Sequence, residues 1–103
     1  MYRVEISETA MSDLRELYVW IAIDKDSPKT ATKYVQDIYD EIKKLYHFPT
    51  AFPFDKNKSV VEKYGMNVRR INYKKMAILY THNEETSLVY IYRIIAQSMI
   101  TGL

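Results

Sequence analysis

The sequence predicts an α+β domain in which an N-terminal strand and an antiparallel helical hairpin pack on an antiparallel sheet of about four strands. Two observations lead to this prediction. Apolar residues recur at helical spacing through much of the first half of the chain and at every second position in the second half. The length of 103 residues suits a single domain with one hydrophobic core.

The chain opens with a strand and a helix. Tyr2, Val4 and Ile6 alternate with polar residues, which predicts a short strand with these three side chains on one face. Ser7 or Thr9 then offers a hydroxyl that can cap the start of a helix. The helix is predicted from apolar residues at three-and-four spacing, namely Ala10, Leu14, Leu17, Tyr18, Ile21 and Ala22.

A second helix follows a short break at residues 24–27. Ser27 is placed to cap this helix, and Pro28 suits its first turn. The helix must stop before Phe48 and Pro49, because a residue ahead of proline avoids helical angles. The short break forces the two helices into an antiparallel hairpin. The second helix is predicted to bury Ala31, Tyr34, Val35, Ile38, Ile42 and Leu45.

Strands dominate the second half. An irregular loop at residues 48–59 contains three phenylalanines, which are expected to pin it to the core. A short edge strand is predicted at residues 60–63, followed by strands at 68–73, 76–82 and 87–95. The last two should form a hairpin. Both alternating rows of the last strand are largely apolar, which predicts a central strand covered on both faces.

The composition excludes several kinds of chemistry. The absence of cysteine removes disulfides and thiolate nucleophiles, and the two histidines, His47 and His82, are too far apart in sequence to suggest a metal site. Two glycines cannot form a glycine-rich phosphate loop. We therefore expect neither a cofactor nor a metal. No apolar run approaches the roughly 20 residues of a membrane span. These features predict a cytoplasmic protein without a membrane partner.

Positive charge is concentrated in the second half. Residues 1–50 carry 7 basic and 9 acidic residues, whereas residues 51–103 carry 8 and 4. Such a field attracts phosphate groups or an acidic protein, although a solvated face is the simpler explanation. The predicted basic surface consists of Lys58, Lys63, Arg69, Arg70, Lys74 and Lys75.

Cations and isolated acids in this half are also compatible with metal-free RNA cleavage. In that reaction a base removes the 2′-hydroxyl proton while cations stabilise the phosphate. Glu62 and His82 are the only plausible bases, but a salt bridge and a turn position are simpler roles for them. Alternation along the last strand places Arg93 on one face with Val89, Ile91 and Ile95. Arg93 must therefore be paired or line a cleft, because an unpaired buried charge is costly.

Taken together, these features resemble the RelE/ParE superfamily of toxins from type II toxin–antitoxin systems. The resemblance extends from Tyr2 to about Ile95, and it rests on the order and spacing of several segments rather than on one motif. The segments are residues 2–7 with 10–14, 18–22 with 26–31, 45–49, 68–71 with 77–80, and 89–95.

The resemblance implies a bacterial growth-arresting toxin that a cognate antitoxin holds inactive. The chain is expected to form a homodimer or a toxin–antitoxin hetero-oligomer. ParE-type members inhibit DNA gyrase, and RelE-type members cut mRNA on the ribosome. Val19, Trp20 and Ile23 fall outside the apolar stripe of the first helix and leave surplus apolar surface. The antitoxin is expected to cover this surface, which includes Tyr18, Val19, Trp20 and Ile23.

The same resemblance bears on the target. A RelE-type nuclease would use Arg70 and Arg93, the two strand arginines that match the family, and Lys75, the nearest further cation. Glu62 or His82 would serve as its base. Many relatives place a histidine where this chain has Ala96, and later basic and acidic positions are also lost. The departures favour a ParE-like toxin that binds gyrase. A ribosome-dependent mRNA endonuclease and a degenerate, non-toxic binding module are the alternatives.

Overall fold

The four predicted strands of the main sheet are present, and the short N-terminal strand pairs with the last strand of the chain. The computed structural model describes all 103 residues. The strands are β1 (Arg3–Ile6), β2 (Arg69–Tyr73), β3 (Met76–Asn83) and β4 (Leu88–Ala96), arranged in the order β1-β4-β3-β2. β4 is therefore central, as predicted.

The sheet is mixed rather than wholly antiparallel. β2, β3 and β4 pair antiparallel, but β1 runs parallel to β4, with Val4 opposite Val89 and Ile6 opposite Ile91. Parallel neighbours need a long crossover between them. Here the helices and the first two strands of the antiparallel meander supply that connection, so the parallel pair follows from the order of elements.

Two long helices form the predicted hairpin. They are α1 (Glu8–Val19) and α2 (Pro28–Lys43), and a 3-10 turn at Lys44–Tyr46 extends the second. Ser7 caps α1, because its Oγ accepts a hydrogen bond of 2.9 Å from the Ala10 amide. Ser27 precedes α2 but makes no side-chain cap; its Oγ donates instead to Thr30 Oγ1 at 2.6 Å.

The end of the first helix differs from the sequence prediction. The helical stripe predicted an ordinary α-helical turn through Ile23, but Trp20–Asp24 forms a π-helical turn. The Lys25 amide closes it by donating to the Trp20 carbonyl at 3.2 Å. A π-helical turn is wider than an α-helical one and re-aims the side chains that follow it. The largest exposed apolar side chains of the hairpin lie at this end.

The larger core lies between the helical hairpin and the sheet. Ile38, Leu45, Ile78 and Val89 have no exposed surface. Val4 and Ile6 of β1, and Tyr2 just before it, pack against this core as predicted. The full set of buried residues in this core is Ala10, Leu14, Ile38, Ile42, Leu45, Ile71, Met76, Ile78, Tyr80, Val89, Ile91 and Ile94.

A smaller core covers the other face of the sheet and corrects one prediction. Residues 60–63 lie not in an edge strand but in a short helix, α3 (Lys58–Tyr64). The Asn57 side chain caps α3 by accepting from the Ser59 amide at 2.9 Å, and Gly65, with φ of 96°, ends it. Val60 packs there with Val68, Ala77, Leu79, Ile95 and Ile100, the last from a C-terminal 3-10 helix at Gln97–Gly102.

A β-bulge in β4 changes which residues share a face. Leu79 pairs with Arg93, but the next residue of β3, Tyr80, pairs with Ile91, so Tyr92 is the extra residue. Simple alternation placed Ile95 with Val89 and Ile91. Because of the bulge, Ile94 joins that core instead, and Ile95 packs on the opposite face.

A polar contact ties α2 to β2 near the β2–β3 turn. Tyr73 donates its hydroxyl hydrogen to Asp37 Oδ2 at 2.7 Å, and Lys33 Nζ lies 2.6 Å from Asp37 Oδ1. The hydrogen bond to Asp37 raises the pKa of Tyr73 to about 12. The bond from Lys33, followed by that from Tyr73, lowers the pKa of Asp37. The turn residues Lys74 and Lys75 follow directly.

None of the helices combines the length and hydrophobicity that spanning a bilayer requires.

The two serines that precede the helices provide a matched test of capping. Ser7→Ala removes the cap of α1 and a second bond of 2.9 Å from Ser7 Oγ to the Tyr92 carbonyl. We expect it to lower the free energy of unfolding by about 1–2 kcal/mol. Ser27→Ala removes no capping bond, so its cost should stay within about 0.5 kcal/mol. Urea denaturation of both variants measures the difference, and equal costs would contradict this account of the caps.

Candidate functional site

Arg93, the charged residue in the apolar row of the last strand, forms an ion pair with a buried carboxylate. Its Nε and Nη2 lie 2.8 Å and 3.0 Å from the two carboxylate oxygens of Asp13 on α1. The Ile94 amide donates to the same carboxylate at 2.9 Å. The hydrogen bonds that Arg93 donates to Asp13 raise the pKa of Arg93 above its ordinary value. Of the two expectations for Arg93, pairing is therefore confirmed, although its side chain also borders a cleft.

Arg70 on β2 is held in the same way by a second buried carboxylate. Its Nε and Nη2 each lie 2.7 Å from Asp55 Oδ2. Asp55 is only 7% exposed, and its other carboxylate oxygen accepts from the Asn57 amide at 2.9 Å. The Asp55 amide donates to the Val68 carbonyl at 2.8 Å. Arg70 thereby anchors the loop ahead of α3 to the sheet.

Arg69 also turns toward this loop. Its guanidinium lies 3.9 Å from the centre of the Phe54 ring, and Nη1 donates to the Phe52 carbonyl at 2.7 Å. Tyr80 donates its hydroxyl hydrogen to the Pro49 carbonyl, and burial raises the pKa of Tyr80 to about 12.

The expectation that three phenylalanines pin the loop is only partly right. Phe52 packs on the core, whereas Phe48 and Phe54 are exposed.

The two buried acids, Asp13 and Asp55, were missed at the sequence level. A signal existed for Asp13, because it lies three residues after Ala10 and directly before Leu14, on the side of α1 that faces the core. For Asp55 there was no comparable signal, since the loop that carries it has no periodicity. Each acid is the partner that a strand arginine required.

The candidate bases and Lys75 do not converge on one site. Lys75 lies in the β2–β3 turn and His82 near the far end of β3, seven positions later, which is about 23 Å along an extended strand. His82 packs edge-on against the Tyr2 ring at 5.8 Å and faces Glu84 at 4.0 Å. Glu62 is exposed on α3, with its Oε1 3.8 Å from Lys58 Nζ.

The predicted basic surface resolves into two lysine pairs. Arg69 and Arg70 face the loop and are only partly exposed. The remaining members are exposed, Lys58 and Lys63 on α3, and Lys74 and Lys75 in the β2–β3 turn. No three His, Asp or Glu side chains lie close enough together to hold a metal ion.

The predicted apolar surface is present at the end of α1. Tyr18, Val19, Trp20 and Ile23 are 39%, 54%, 51% and 70% exposed. Trp20 is their centre, because it lines three clefts with volumes of about 660, 320 and 310 Å³. In the largest cleft it is joined by Leu17, Ile21 and Tyr34 of the hairpin and by Met76 and Ala96 of the sheet. Trp20 thus joins the exposed apolar surface to this cleft, and the two together are the candidate binding site.

Comparison with known proteins places the chain among toxins. The family model described as ParE toxin of type II toxin-antitoxin system, parDE, matches residues 4–101. The fold is similar to a chain of the chromosomal ParDE system from P. aeruginosa, at 19% identity and a TM-score of 0.70, covering 93% of this chain and 96% of that one. Among curated proteins, none matches this sequence.

Two RelBE structures share the fold as well. A chain of the toxin-antitoxin complex RelBE2 from Mycobacterium tuberculosis is 18% identical, with a TM-score of 0.59 over 93% of this chain and 98% of that one. A chain of the intact E. coli RelBE toxin-antitoxin complex is 14% identical, with a TM-score of 0.62 over 93% and 96%. The α+β fold predicted from the sequence is thereby confirmed.

Removing the Asp13 carboxylate tests the structural role of Arg93. Asp13→Asn leaves the guanidinium in its cleft without a counter-charge, and we expect a loss of about 3 kcal/mol in the free energy of unfolding. Glu16→Gln is the matched control, because Glu16 lies on the same helix, is exposed and has no ion pair; it should change stability by less than about 0.5 kcal/mol. Denaturation of both variants gives the comparison. A cost for Asp13→Asn no larger than the control's would show that the pair contributes nothing.

Proposed function

The chain belongs to the ParE toxin family of type II toxin–antitoxin systems, and from that premise we propose that it arrests growth by binding DNA gyrase. We further propose that a cognate antitoxin neutralises it by covering the apolar surface around Trp20. Both proposals describe protein–protein contacts and need no catalytic group on this chain.

The exposed apolar side chains support an antitoxin partner. Val19, Trp20 and Ile23 are each more than half exposed on one helix end, and a free protein seldom leaves such side chains contiguous unless a partner covers them. The similar structures are described as toxin–antitoxin complexes or systems. Trp20 lines three clefts, and tryptophan is among the residues that most often form binding hot spots.

One observation carries the choice of gyrase over mRNA. The two arginines that match the family, Arg70 and Arg93, are each committed to a buried aspartate, at 2.7 Å and 2.8 Å. A guanidinium paired in this way has little charge left for a scissile phosphate. The separation of Lys75 from His82 supports the same choice. Binding to a protein target requires neither a free arginine nor a base.

The ribosome-dependent mRNA endonuclease remains the second candidate. The similarity to the E. coli RelBE chain favours it, as do the exposed Lys75 and Glu62 and the partly exposed His82. In that case Arg70 or Arg93 would have to exchange its aspartate for the phosphate of the substrate. A degenerate binding module is the third candidate, and it differs from the other two in lacking any effect on growth.

Expression of the chain without its antitoxin distinguishes the three candidates. We expect growth arrest with intact transcripts, together with loss of supercoiling activity when the purified chain is added to purified gyrase. Glu62→Gln and His82→Gln should leave both effects unchanged, because neither residue is needed for binding a protein. Growth curves, transcript integrity and a supercoiling assay are the measurements.

Other outcomes reject the gyrase proposal. Rapid cleavage of translated mRNA, reduced about 10²–10⁴-fold by one of these two substitutions, would assign the nuclease activity and identify its base. Normal growth at good expression would indicate the degenerate binding module.

Antitoxin binding can be followed directly at Trp20, the single tryptophan of the chain. The candidate antitoxin is the protein encoded by the reading frame next to this one. When it is added, burial of the half-exposed Trp20 ring should shift the fluorescence emission to shorter wavelength. Trp20→Ala should weaken binding about 30-fold, as expected for a central aromatic anchor. Phe48→Ala is the matched control, since Phe48 is 63% exposed but lies outside the Trp20 clefts. An unaltered emission spectrum on complex formation would place the antitoxin elsewhere.

A further inference from the structure

A cavity of about 390 Å³ lies at the end of the β3–β4 hairpin, and we call it the Asn67 pocket. The hairpin supplies one wall, which includes Thr81, Asn83, Leu88 and Tyr90. The loops before and after α3 contribute Phe54 and Asn67. The Asn67 carbonyl accepts a hydrogen bond of 3.1 Å from Thr81 Oγ1, which ties the loop after α3 to the hairpin.

The lining of the Asn67 pocket carries no lysine, arginine or carboxylate. It includes Phe54, Leu88 and Tyr90, and His82 is its one titratable side chain besides the tyrosine. The cores of protein interfaces are likewise depleted of charge and enriched in aromatic residues. Phosphate groups and metal ions are bound chiefly by charged side chains. An apolar side chain of a protein therefore suits this pocket better than either of those ligands.

An exposed methionine lies directly beside the pocket. Met66 is 77% exposed and immediately precedes Asn67, but it does not line the pocket of its own chain. Gly65, with φ of 96°, ends α3 just before it. A methionine side chain is unbranched and flexible, so it fills irregular cavities well. One surface thus carries both an exposed apolar side chain and an uncharged cavity next to it.

Unpaired charges of opposite sign flank this surface. The β3–β4 turn, at residues 84–87, carries Glu85, which is exposed and has no cation within 4.0 Å. Lys63, in the last turn of α3 ahead of Met66, is exposed and has no carboxylate within 4.0 Å. A partner of one charge would match only one of them. A second copy related by a two-fold axis matches both, because such an axis sets each side of the surface against the other side of its copy.

We propose that the surface around the Asn67 pocket joins two copies of this chain about a two-fold axis. Met66 of each copy enters the pocket of the other, and Glu85 of each copy faces Lys63 of the other. The two methionines supply most of the affinity, whereas the four charges fix the axis.

This contact is separate from the Trp20 surface. The largest Trp20 cleft reaches Met76 and Ala96, which pair at the end of β3 and β4 remote from the Asn67 pocket. Trp20 is therefore as exposed in the dimer as in the single chain, and the dimer requires neither an antitoxin nor a target.

Substitution of the exposed methionine tests the contact. We expect sedimentation of the isolated wild-type chain to show a reversible dimer with a Kd of roughly 10–100 µM, as a small interface with few anchors gives. Met66→Asp should weaken it at least about tenfold, because a carboxylate in an uncharged pocket is unfavourable. Met99→Asp is the matched control, since Met99 is 62% exposed but lies on the C-terminal 3-10 helix and does not line the pocket. Both methionines lie outside the two cores, and circular dichroism verifies that each variant folds.

Charge reversal distinguishes a direct contact from general repulsion between copies. Glu85→Lys makes the chain more basic, and Lys63→Glu makes it less basic. A direct contact predicts that each variant alone dimerises about three- to tenfold more weakly, because like charges then face each other twice. An equimolar mixture of the two variants should regain wild-type affinity, since the mixed dimer has opposite charges at both contacts. General repulsion predicts instead that the first change weakens the dimer and the second strengthens it.

Several outcomes would overturn the proposal. A wild-type chain that stays monomeric up to about 1 mM has no such interface. A dimer that Met66→Asp affects no more than Met99→Asp does, or one that the mixture fails to restore, forms through another surface. A dimer that shields Trp20 from a fluorescence quencher is formed by the Trp20 surface. None of these results bears on the toxin–antitoxin function, which a single chain can perform.

Discussion

The contact between Asp13 and Arg93 fixes where the helical hairpin lies on the sheet. β4 is the central strand and is covered on both faces, so a charged residue in it needs a counter-charge from a neighbouring element. Asp13 supplies one from α1 and also accepts the Ile94 amide, just after the bulge at Tyr92. A carboxylate with three hydrogen bonds tolerates little sliding of the helix. The position of Trp20, two turns further along the same helix, beside Met76 and Ala96, follows from this contact.

The second ion pair has a corresponding effect on the loop ahead of α3. Arg70 holds Asp55, and Arg69 stacks on Phe54, so the sheet arginines order a loop that has no regular structure of its own. The arginines of β2 and β4 thereby contribute to folding, and the exposed cations that remain are mostly lysines. Lysines on mobile stems suit contacts with an acidic protein surface, whereas precise phosphate recognition more often uses the planar arginine fork.

Local patterning was enough to predict most of the fold, because the hairpin and the later strands each bury a face with a clear period. The failures have local causes. Val60 and Val61 suggested a strand, but the Asn57 cap and Gly65 outweigh β propensity over so short a segment. One extra residue at Tyr92 shifted the faces of β4. Parallel pairing of β1 depends on contacts across nearly the whole chain, and the two Asp–Arg pairs join residues 80 and 15 positions apart, which no local period reveals.

The exposed apolar surface was predictable for a different reason. Once one stripe of α1 is assigned to the core, Val19, Trp20 and Ile23 have no place left on it. Trp20 and Ile23 lie in the π-helical turn and are 51% and 70% exposed. Only Ile21 and Ala22 of this turn pack against α2, through Ala31. The same five residues therefore both pack the hairpin, through Ile21 and Ala22, and leave Trp20 and Ile23 exposed.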